Sequence, residues 1–242
     1  MRFSAVNWFQ HVSAAIGLLL GFVKPPAGQA ASPTPFFQDA LTNKLDEGWS
    51  WIREHKPGWR ITTNGLQIRI QPGNMWGPAN DARNVLVRSV PDPGVGAVAV
   101  EVTFSNKPTE AYEQMDLVWY YDDSHMVKIG LELVDGTRSI VMGREENDRT
   151  KTISILGHSR DTVRFRLIAT ADSIRGEYLF PGNPEWLVAG VCDLPGTGAP
   201  RISIQCYQGP GHLDRWGLIK DFAVYTLQAA DVLGTRRKSD LP

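Results

Sequence analysis

Apolar and polar residues alternate along almost the whole chain after residue 60. The alternating runs are Leu66–Ile70, Val98–Phe104, Met115–Tyr121, Val127–Leu133, Val163–Ala169, Ile174–Phe180 and Ile202–Cys206. A period of two puts successive side chains on opposite faces of a strand, so each run predicts a strand with one face on a core. Turn-forming residues separate the runs, and Asp135-Gly136 between two of them is typical of a tight hairpin. Many short strands joined by such turns predict an all-β sandwich or barrel.

The first 31 residues have the features of a cleavable export signal. Arg2 precedes an apolar run at 12–23, which Pro25-Pro26 ends, and small residues follow at 28–31. A membrane anchor is the alternative, but a helix of this run would rise only ~18 Å against a hydrocarbon core of ~30 Å. The sequence therefore predicts a signal peptide over 1–31, a secreted or periplasmic protein, and no membrane segment after cleavage.

The rest of the chain is long enough for one domain. We predict an N-terminal linker over 32–44, a sandwich domain over 45–227 and a polar C-terminal tail over 228–242. The only helix-like segment after the signal is a short turn near Phe36 to Leu45. The formal net charge is −1 and the only basic run lies in the tail, so nucleic acid is not an expected partner.

Two cysteines, Cys192 and Cys206, lie in neighbouring apolar segments that could pair as strands. An even count in an exported chain allows one disulfide, and two buried thiols are the alternative. The five histidines are scattered, with no spacing typical of a zinc site.

Four short motifs, in order along the chain, resemble the concanavalin A-like domain attached to the C-terminus of family 43 β-xylosidases and its stand-alone relatives. They are Trp49–Glu54 (WSWIRE), Asn74–Trp76 (NMW), residues 113–132 (EQMDLVWY, a turn, then VKIGLE) and Lys220–Tyr225 (KDFAVY). The resemblance implies a concanavalin A-like jelly-roll sandwich of two antiparallel sheets, in which sugars can bind in a concave groove. Met115-Asp116 departs from the Ala-Gly of the family pattern and puts an acid on the outward face.

The alternation indicates which side chains can meet a ligand. If residues 114–121 and 127–133 pair as a hairpin across Asp122-Asp123-Ser124, then Gln114, Asp116, Tyr120, Lys128, Gly130 and Glu132 share one outward face. A sugar site needs a flat aromatic ring and polar groups for the hydroxyls. The candidate ligand-binding residues are Trp76, Gln114, Tyr120, Lys128 and Glu132, with Arg53 and Arg88 at the rim. Gly130 leaves space for a close approach. The alternative is an ordinary ion pair between Lys128 and Glu132 on a wet face.

The resulting hypothesis is an exported, non-catalytic carbohydrate-binding protein whose partner is a polysaccharide or glycan. Glycosidases that share this fold place their carboxylates as E-x-D-x-E or E-x-D-x-x-E, and the chain has no such run. Asp116 and Glu132, facing each other across the hairpin, would be the one pairing suited to hydrolysis, because Glu145–Asp148 is expected to be a solvated loop.

Two other classes stay open: a glycosidase or lyase with unfamiliar catalytic residues, and a protein-interaction or structural module. Sandwiches of this kind often hold a structural calcium ion. Asp221, near the closing strand, and Glu47, near the opening one, are the candidate ligands.

Overall fold

The computed structural model describes residues 34–94, 96–196 and 198–228, which form two antiparallel sheets. The eight-stranded sheet contains β1 (Phe37–Asp39), β3 (Trp59–Thr62), β4 (Gly65–Arg69), β6 (Ala97–Ser105), β11 (Thr162–Ala169), β12 (Ser173–Leu179), β13 (Leu187–Asp193) and β15 (Trp216–Leu227). Its order is β13-β12-β11-β6-β15-β4-β3, with β1 beside β15. The seven-stranded sheet contains β2 (Trp49–Ile52), β5 (Val85–Ser89), β7 (Gln114–Asp122), β8 (His125–Val134), β9 (Thr137–Glu146), β10 (Arg149–Gly157) and β14 (Arg201–Tyr207). Its order is β10-β9-β8-β7-β14-β5-β2.

The predicted all-β sandwich is confirmed, and the alternating runs are its strands. The Asp135-Gly136 hairpin is also confirmed: Val134 pairs with Thr137, and the two turn residues have φ of 48° and 75°. Two positive φ values define the turn type whose twist suits a two-residue hairpin, and Gly adopts such a φ without strain.

The core lies between the two sheets and is built from the inward residues of both. Its largest side chains include Trp119 from the seven-stranded sheet and Phe104 and Phe165 from the eight-stranded sheet, all with no exposed surface. Burial of one such side chain contributes about 1.5–3 kcal/mol. The core therefore uses one face of each sheet, which leaves each sheet a second face for other contacts.

The N-terminal segment of the sandwich differs from the prediction. Residues 37–39 form strand β1 rather than a helix-like turn, and Phe37 pairs with Val224 of β15. The Asp39 carboxylate accepts hydrogen bonds from the backbone N–H of Leu41 and Asp46. The segment predicted as a linker is thus attached to the sheet by a strand ladder.

The two cysteines lie in different sheets, so the prediction that their segments could pair as strands is wrong. Cys192 is on β13 of the eight-stranded sheet and Cys206 is on β14 of the seven-stranded sheet. Both are free thiols, and burial raises the pKa of each.

The predicted signal peptide lies outside the described residues. Within the described ranges, no helix is long and apolar enough to cross a membrane.

Candidate functional site

The β7–β8 hairpin carries the predicted polar face. The two strands pair across the turn after Asp122, with Gln114 opposite Glu132, Asp116 opposite Gly130 and Val118 opposite Lys128. The expectation that these outward groups share one face is confirmed. The register corrects one detail: Asp116 faces Gly130 and not Glu132. The two strands pair two residues away from the alignment that would place Asp116 opposite Glu132.

Two further strands extend this face, which we call the polar face of the seven-stranded sheet. On β9, Gly143 lies opposite Lys128 and Glu145 lies opposite Met126. On β14, Gln205 lies opposite Asp116 and Tyr207 lies opposite Gln114. The sheet thus brings side chains from four strands around Asp116 and Lys128.

The polar face is buried, contrary to the expectation of a wet surface. Asp116 is 0%, Lys128 2% and Glu132 8% exposed, and Gln114 and Tyr120 are equally enclosed. The cover is the connection between β4 and β5, residues 71–84, which we call the roof segment. Alternation fixes which side of a strand a residue occupies, but a loop that folds over that side leaves no periodic signal.

Apolar contacts hold the roof segment on the sheet. Met75 and Ala82 pack in one buried cluster with Val118, Tyr120 and Met126. In addition, the half-buried Trp76 ring lies against Gly143, where an added Cβ would come within 2.5 Å of the ring. Glycine at 143 is therefore required by the position of Trp76.

Hydrogen bonds from backbone N–H groups also attach the roof segment to strand β9 and to the end of strand β14. The backbone N–H of Gly77 donates to Glu145 Oε2 at 3.0 Å. The backbone N–H of Gln208 donates to the Gly73 carbonyl at 3.1 Å, next to β14. Gly73 and Gly77 have φ of 127° and 83°, a region that favours glycine and allows the sharp reversals of the roof segment.

Arg53, predicted at the rim of a sugar site, clamps the roof segment to the β7–β8 turn. Its guanidinium donates to both carboxylate oxygens of Asp123, at 2.7 and 3.3 Å, and to the Ala82 carbonyl at 2.7 Å. Asp123 also accepts a hydrogen bond of 2.6 Å from the Tyr120 hydroxyl. Arg53 and Tyr120 therefore act with Asp123 in a structural network.

Replacing Arg53 with lysine should loosen the roof segment, because an ammonium cannot make this bidentate contact and reach Ala82 as well. We expect a destabilisation of about 1–2 kcal/mol and faster amide hydrogen exchange across residues 75–82. Hydrogen exchange with peptide-level mass spectrometry measures this. Arg60→Lys, at a surface position of β3, is the control; equal exchange in both variants would contradict the clamp.

Arg88, also predicted at the rim, lies on the other side of β5 from Val87 and away from the polar face. Its guanidinium packs 3.4 Å from the Phe37 ring centroid and donates to the Glu47 carbonyl. Alternation along β5 explains the position, since Leu86 and Arg88 share one side and Val87 the other.

The calcium ligands stay a prediction. Asp221 is exposed, at the bulge of β15 where its φ is 56°. Among the residues that the structure describes, no group of three or more His, Cys, Asp or Glu side chains is arranged to hold a metal ion.

Lys128 lies at the centre of the polar cluster, which we define as Gln114, Asp116, Lys128, Glu132, Glu145, Gln205 and Tyr207. Its ammonium donates to Gln114 Oε1 and to Glu132 Oε2, the latter at 3.3 Å, and lies 3.6 Å from Asp116 Oδ2. The Trp76 ring centroid is 4.9 Å from the same nitrogen. One cation thus serves several acceptors and two aromatic rings, those of Trp76 and Tyr207.

Several buried atoms of the cluster have no hydrogen-bond partner within the described parts of the chain. They are both carboxylate oxygens of Asp116, Oε1 of Glu145, Oε1 of Gln205 and the hydroxyl of Tyr207. Buried polar atoms nearly always have a partner, and a buried atom without one costs about 1–3 kcal/mol. So many on one small area of sheet indicates that the face has more hydrogen-bonding capacity than the fold uses.

Burial changes the protonation of the cluster. Desolvation raises the pKa of Asp116 to about 6, with Lys128 opposing the rise and Glu132 adding to it. Desolvation also raises the pKa of Glu145 to about 7, against the stabilising N–H of Gly77. The pKa of Tyr207 rises because it is buried and lies near Asp116. Both carboxyl groups therefore titrate close to neutral pH.

Sequence reasoning missed Glu145, Gln205 and Tyr207. Glu145 was expected in a solvated loop, but it has no exposed surface and the turn begins only at Asn147. The signal was present in both strands: continuing the alternation past Met142 places Glu145 outward, and the inward Ile204 and Cys206 leave Gln205 and Tyr207 outward.

The outer face of the eight-stranded sheet also carries charges, but its carboxylates are paired. Glu101 contacts Arg164 and Arg166 at 2.6 and 3.4 Å, and Glu177 also pairs with Arg166. The half-buried Trp186 ring lies 4.2 Å from the Arg166 guanidinium. This face therefore carries charged residues and an indole ring, as the polar cluster does. The two faces differ because the Glu101 and Glu177 carboxylates are paired with arginines, whereas the polar cluster contains buried carboxylate oxygens without a partner among the described residues.

The fold and the polar face define a protein of the concanavalin A-like class. The chain belongs to the family of β-xylosidase C-terminal concanavalin A-like domains, whose model matches residues 39–195. No curated protein matches the sequence.

Solved structures with the same fold share little sequence with this chain. The GH43 BlXynB protein of Bacillus licheniformis matches with a TM-score of 0.68 and 14% identity, over 78% of this chain and 39% of that one. A xylan β-1,4-xylosidase of Bacillus halodurans matches with a TM-score of 0.65 and 14% identity, over 83% and 41%. A functionally unknown protein of Saccharomyces cerevisiae matches with a TM-score of 0.57 and 14% identity, over 74% and 96%. The chain thus spans about two fifths of the length of the two bacterial proteins.

Proposed function

We propose that the protein is an exported, non-catalytic carbohydrate-binding protein whose site is the polar cluster under Trp76. The observation that carries the proposal is the set of buried polar atoms that have no partner among the described residues and lie beside the half-buried indole ring of Trp76. A sugar offers hydroxyls for such atoms and a flat C–H face for the ring. The solved relatives described as xylosidases support a glycan as the ligand class.

The burial of the cluster limits how a glycan binds. Glu132 is its most accessible member and the adjacent Trp76 is half-buried, whereas Asp116 is fully enclosed. A ligand therefore enters beside Trp76 and reaches Asp116 only when the roof segment moves. This geometry favours one or two sugar units at the site over a long chain lying flat across the sheet.

Trp76→Ala should weaken glycan binding by about tenfold, which corresponds to the loss of about 1.4 kcal/mol of contact energy. Glycan-array screening followed by calorimetry on the strongest ligand measures the effect. The matched control is Trp186→Ala, which removes a half-buried indole from the outer face of the other sheet. Equal affinity in the wild type and both variants would remove Trp76 from the site.

Lys128→Ala provides the second arm of this test and should abolish binding. It also leaves buried carboxylates without their cation, a change that typically costs 3–5 kcal/mol. Circular dichroism must therefore show a folded variant before its affinity is interpreted. Ordered water is an alternative partner for the buried polar atoms that have none among the described residues. If the protein binds no glycan on the array, this alternative is favoured over a sugar ligand.

One observation favours an enzyme as the second candidate. Asp116 and Glu145 both have raised pKa values, and a carboxyl group that titrates near neutral pH is suited to general acid catalysis. This reading predicts that the protein releases sugar from a polysaccharide and that Asp116→Asn or Glu132→Gln abolishes the release. Absence of product across a broad polysaccharide panel would count against it.

A further inference from the structure

The hydrogen-bonding groups that the polar cluster leaves free are almost all acceptors. Three are carboxylate oxygens of Asp116 and Glu145 and one is the carboxamide oxygen of Gln205. The Tyr207 hydroxyl, which can donate or accept, is the fifth free group. Even if that hydroxyl donates to Asp116, three acceptor atoms remain.

Each nitrogen donor of the cluster already has at least one acceptor within the protein. The amide nitrogen of Gln114 donates to the Tyr112 carbonyl at 2.9 Å, and that of Gln205 donates to the Ser203 hydroxyl at 2.8 Å. The Lys128 ammonium is shared among Gln114, Glu132 and Asp116. The cluster therefore offers a ligand several oxygen atoms that can accept hydrogen bonds and few groups that can donate them.

The net charge of the cluster also favours a ligand that donates hydrogen bonds. Asp116, Glu132 and Glu145 provide three carboxyl groups, and Lys128 provides one ammonium. The groups that face Asp116 are Lys128 and Glu132 from β8 and Gln205 and Tyr207 from β14, while Glu145 of β9 faces Lys128 and Tyr207. From the roof segment, the uncharged Trp76 and Met75 pack against this surface. Near neutral pH the enclosed area therefore carries an excess of negative charge.

We propose, on the basis of the carbohydrate-binding function proposed above, that the site selects hydrogen-bond donors, and so takes neutral or amino sugars and rejects acidic ones. Sugar hydroxyls donate to the free oxygens, and an ammonium group pairs with the excess carboxylate. The carboxylate of a uronate, or a sulfate group, has no proton to donate and would place a further negative charge beside Asp116 in a site with little water. Such like-charge contacts inside an interface are strongly unfavourable.

Ligand binding also releases a proton if the proposal holds. A hydroxyl that donates to the Asp116 carboxylate stabilises its ionised form and so lowers its pKa. Below pH 6 this carboxyl group is largely protonated, and its neutral form accepts a hydrogen bond from the hydroxyl more weakly than the carboxylate does. The affinity for a neutral sugar therefore falls as the pH falls through about 6.

The test compares matched oligosaccharides of glucose, galactose and mannose with their uronate counterparts, and cello-oligosaccharides with chitosan oligosaccharides, by calorimetry on the full chain at pH 7.5. We expect each uronate to bind at least about tenfold more weakly than its neutral counterpart. At pH 6.5, titration of the best neutral ligand in two buffers of different ionisation enthalpy should show net proton release, which is smaller in Asp116→Asn and retained in the surface control Asp172→Asn. Uronates that bind as tightly as neutral sugars, or proton uptake in place of release, would overturn the donor selectivity and leave the carbohydrate-binding proposal standing. No binding by any series would overturn the carbohydrate-binding proposal itself.

Discussion

Asp116→Asn is expected to stabilise the protein relative to the wild type by up to about 3 kcal/mol more at pH 7.5 than at pH 4. The pKa of Asp116 rises from an ordinary value of 3.8 to about 6 in the folded chain, so the folded state binds this proton more tightly than the unfolded state. The wild type therefore has the full benefit of the group below pH 4 and loses it as the pH rises through 6. Asparagine has no proton to lose, so the variant keeps its stability across the same window.

Urea denaturation of both proteins at pH 4 and pH 7.5 measures this difference. In thermal denaturation, each 1 kcal/mol of the same difference would correspond to roughly 2–4 °C in Tm for a domain of this size. Glu145, with a raised pKa of about 7, produces the same trend in both proteins and largely cancels. Asp172→Asn is the control, because it makes the same substitution at an exposed position. A pH-independent difference for Asp116→Asn would show that burial does not disfavour its ionised form.

Gly130→Ala is expected to destabilise the protein by about 3 kcal/mol, because the space above Gly130 is filled by the neighbouring strand. A Cβ at this position would overlap the Met115 carbonyl and Asp116 Oδ1 and would lie 2.8 Å from Asp116 Cα. Two of these atoms belong to the backbone of β7, so relief requires the strands to separate and weakens the hydrogen bonds between them.

The matched control is Gly157→Ala, at the end of β10, where the nearest atom to an added Cβ is Thr137 Cγ2 at 3.3 Å. Chemical denaturation of the two variants at one pH gives the comparison. A Gly130→Ala variant as stable as the control would mean that β7 and β8 are further apart than described. These contacts also correct the role expected for Gly130. The absent side chain of Gly130 makes room for Asp116 of the protein itself and not for a ligand.

These two predictions concern one feature, a carboxyl group buried over a glycine. A fully enclosed Asp116 with free oxygens costs stability near neutral pH, and an apolar or neutral residue would remove that cost. Natural proteins accept such costs chiefly where a ligand later uses the groups. The higher stability expected for Asp116→Asn near neutral pH and the reduced proton release on binding expected for the same variant are therefore complementary predictions.

The strands and the sides of the strands were predictable from the sequence. Alternation assigns Leu117 and Trp119 to the core and Gln114, Asp116 and Tyr120 to the opposite face, and the structure agrees. The same rule, applied to the outward positions of β9 and β14, would have added Glu145, Gln205 and Tyr207. A period of two is a local property of an extended chain, so it can be read without knowledge of neighbouring strands.

The pairing and the cover of that face were decided by tertiary structure alone. Register places Gly130, and not Glu132, opposite Asp116, and the roof segment brings Trp76 onto Gly143 and Lys128. Both depend on contacts between residues far apart in sequence, which no local pattern records. The sequence determined that this chain is a two-faced β-sandwich with polar residues on the second face of one sheet. Only the folded chain decided that this face is enclosed, because the loop that covers it acts through its position in space and not through its periodicity.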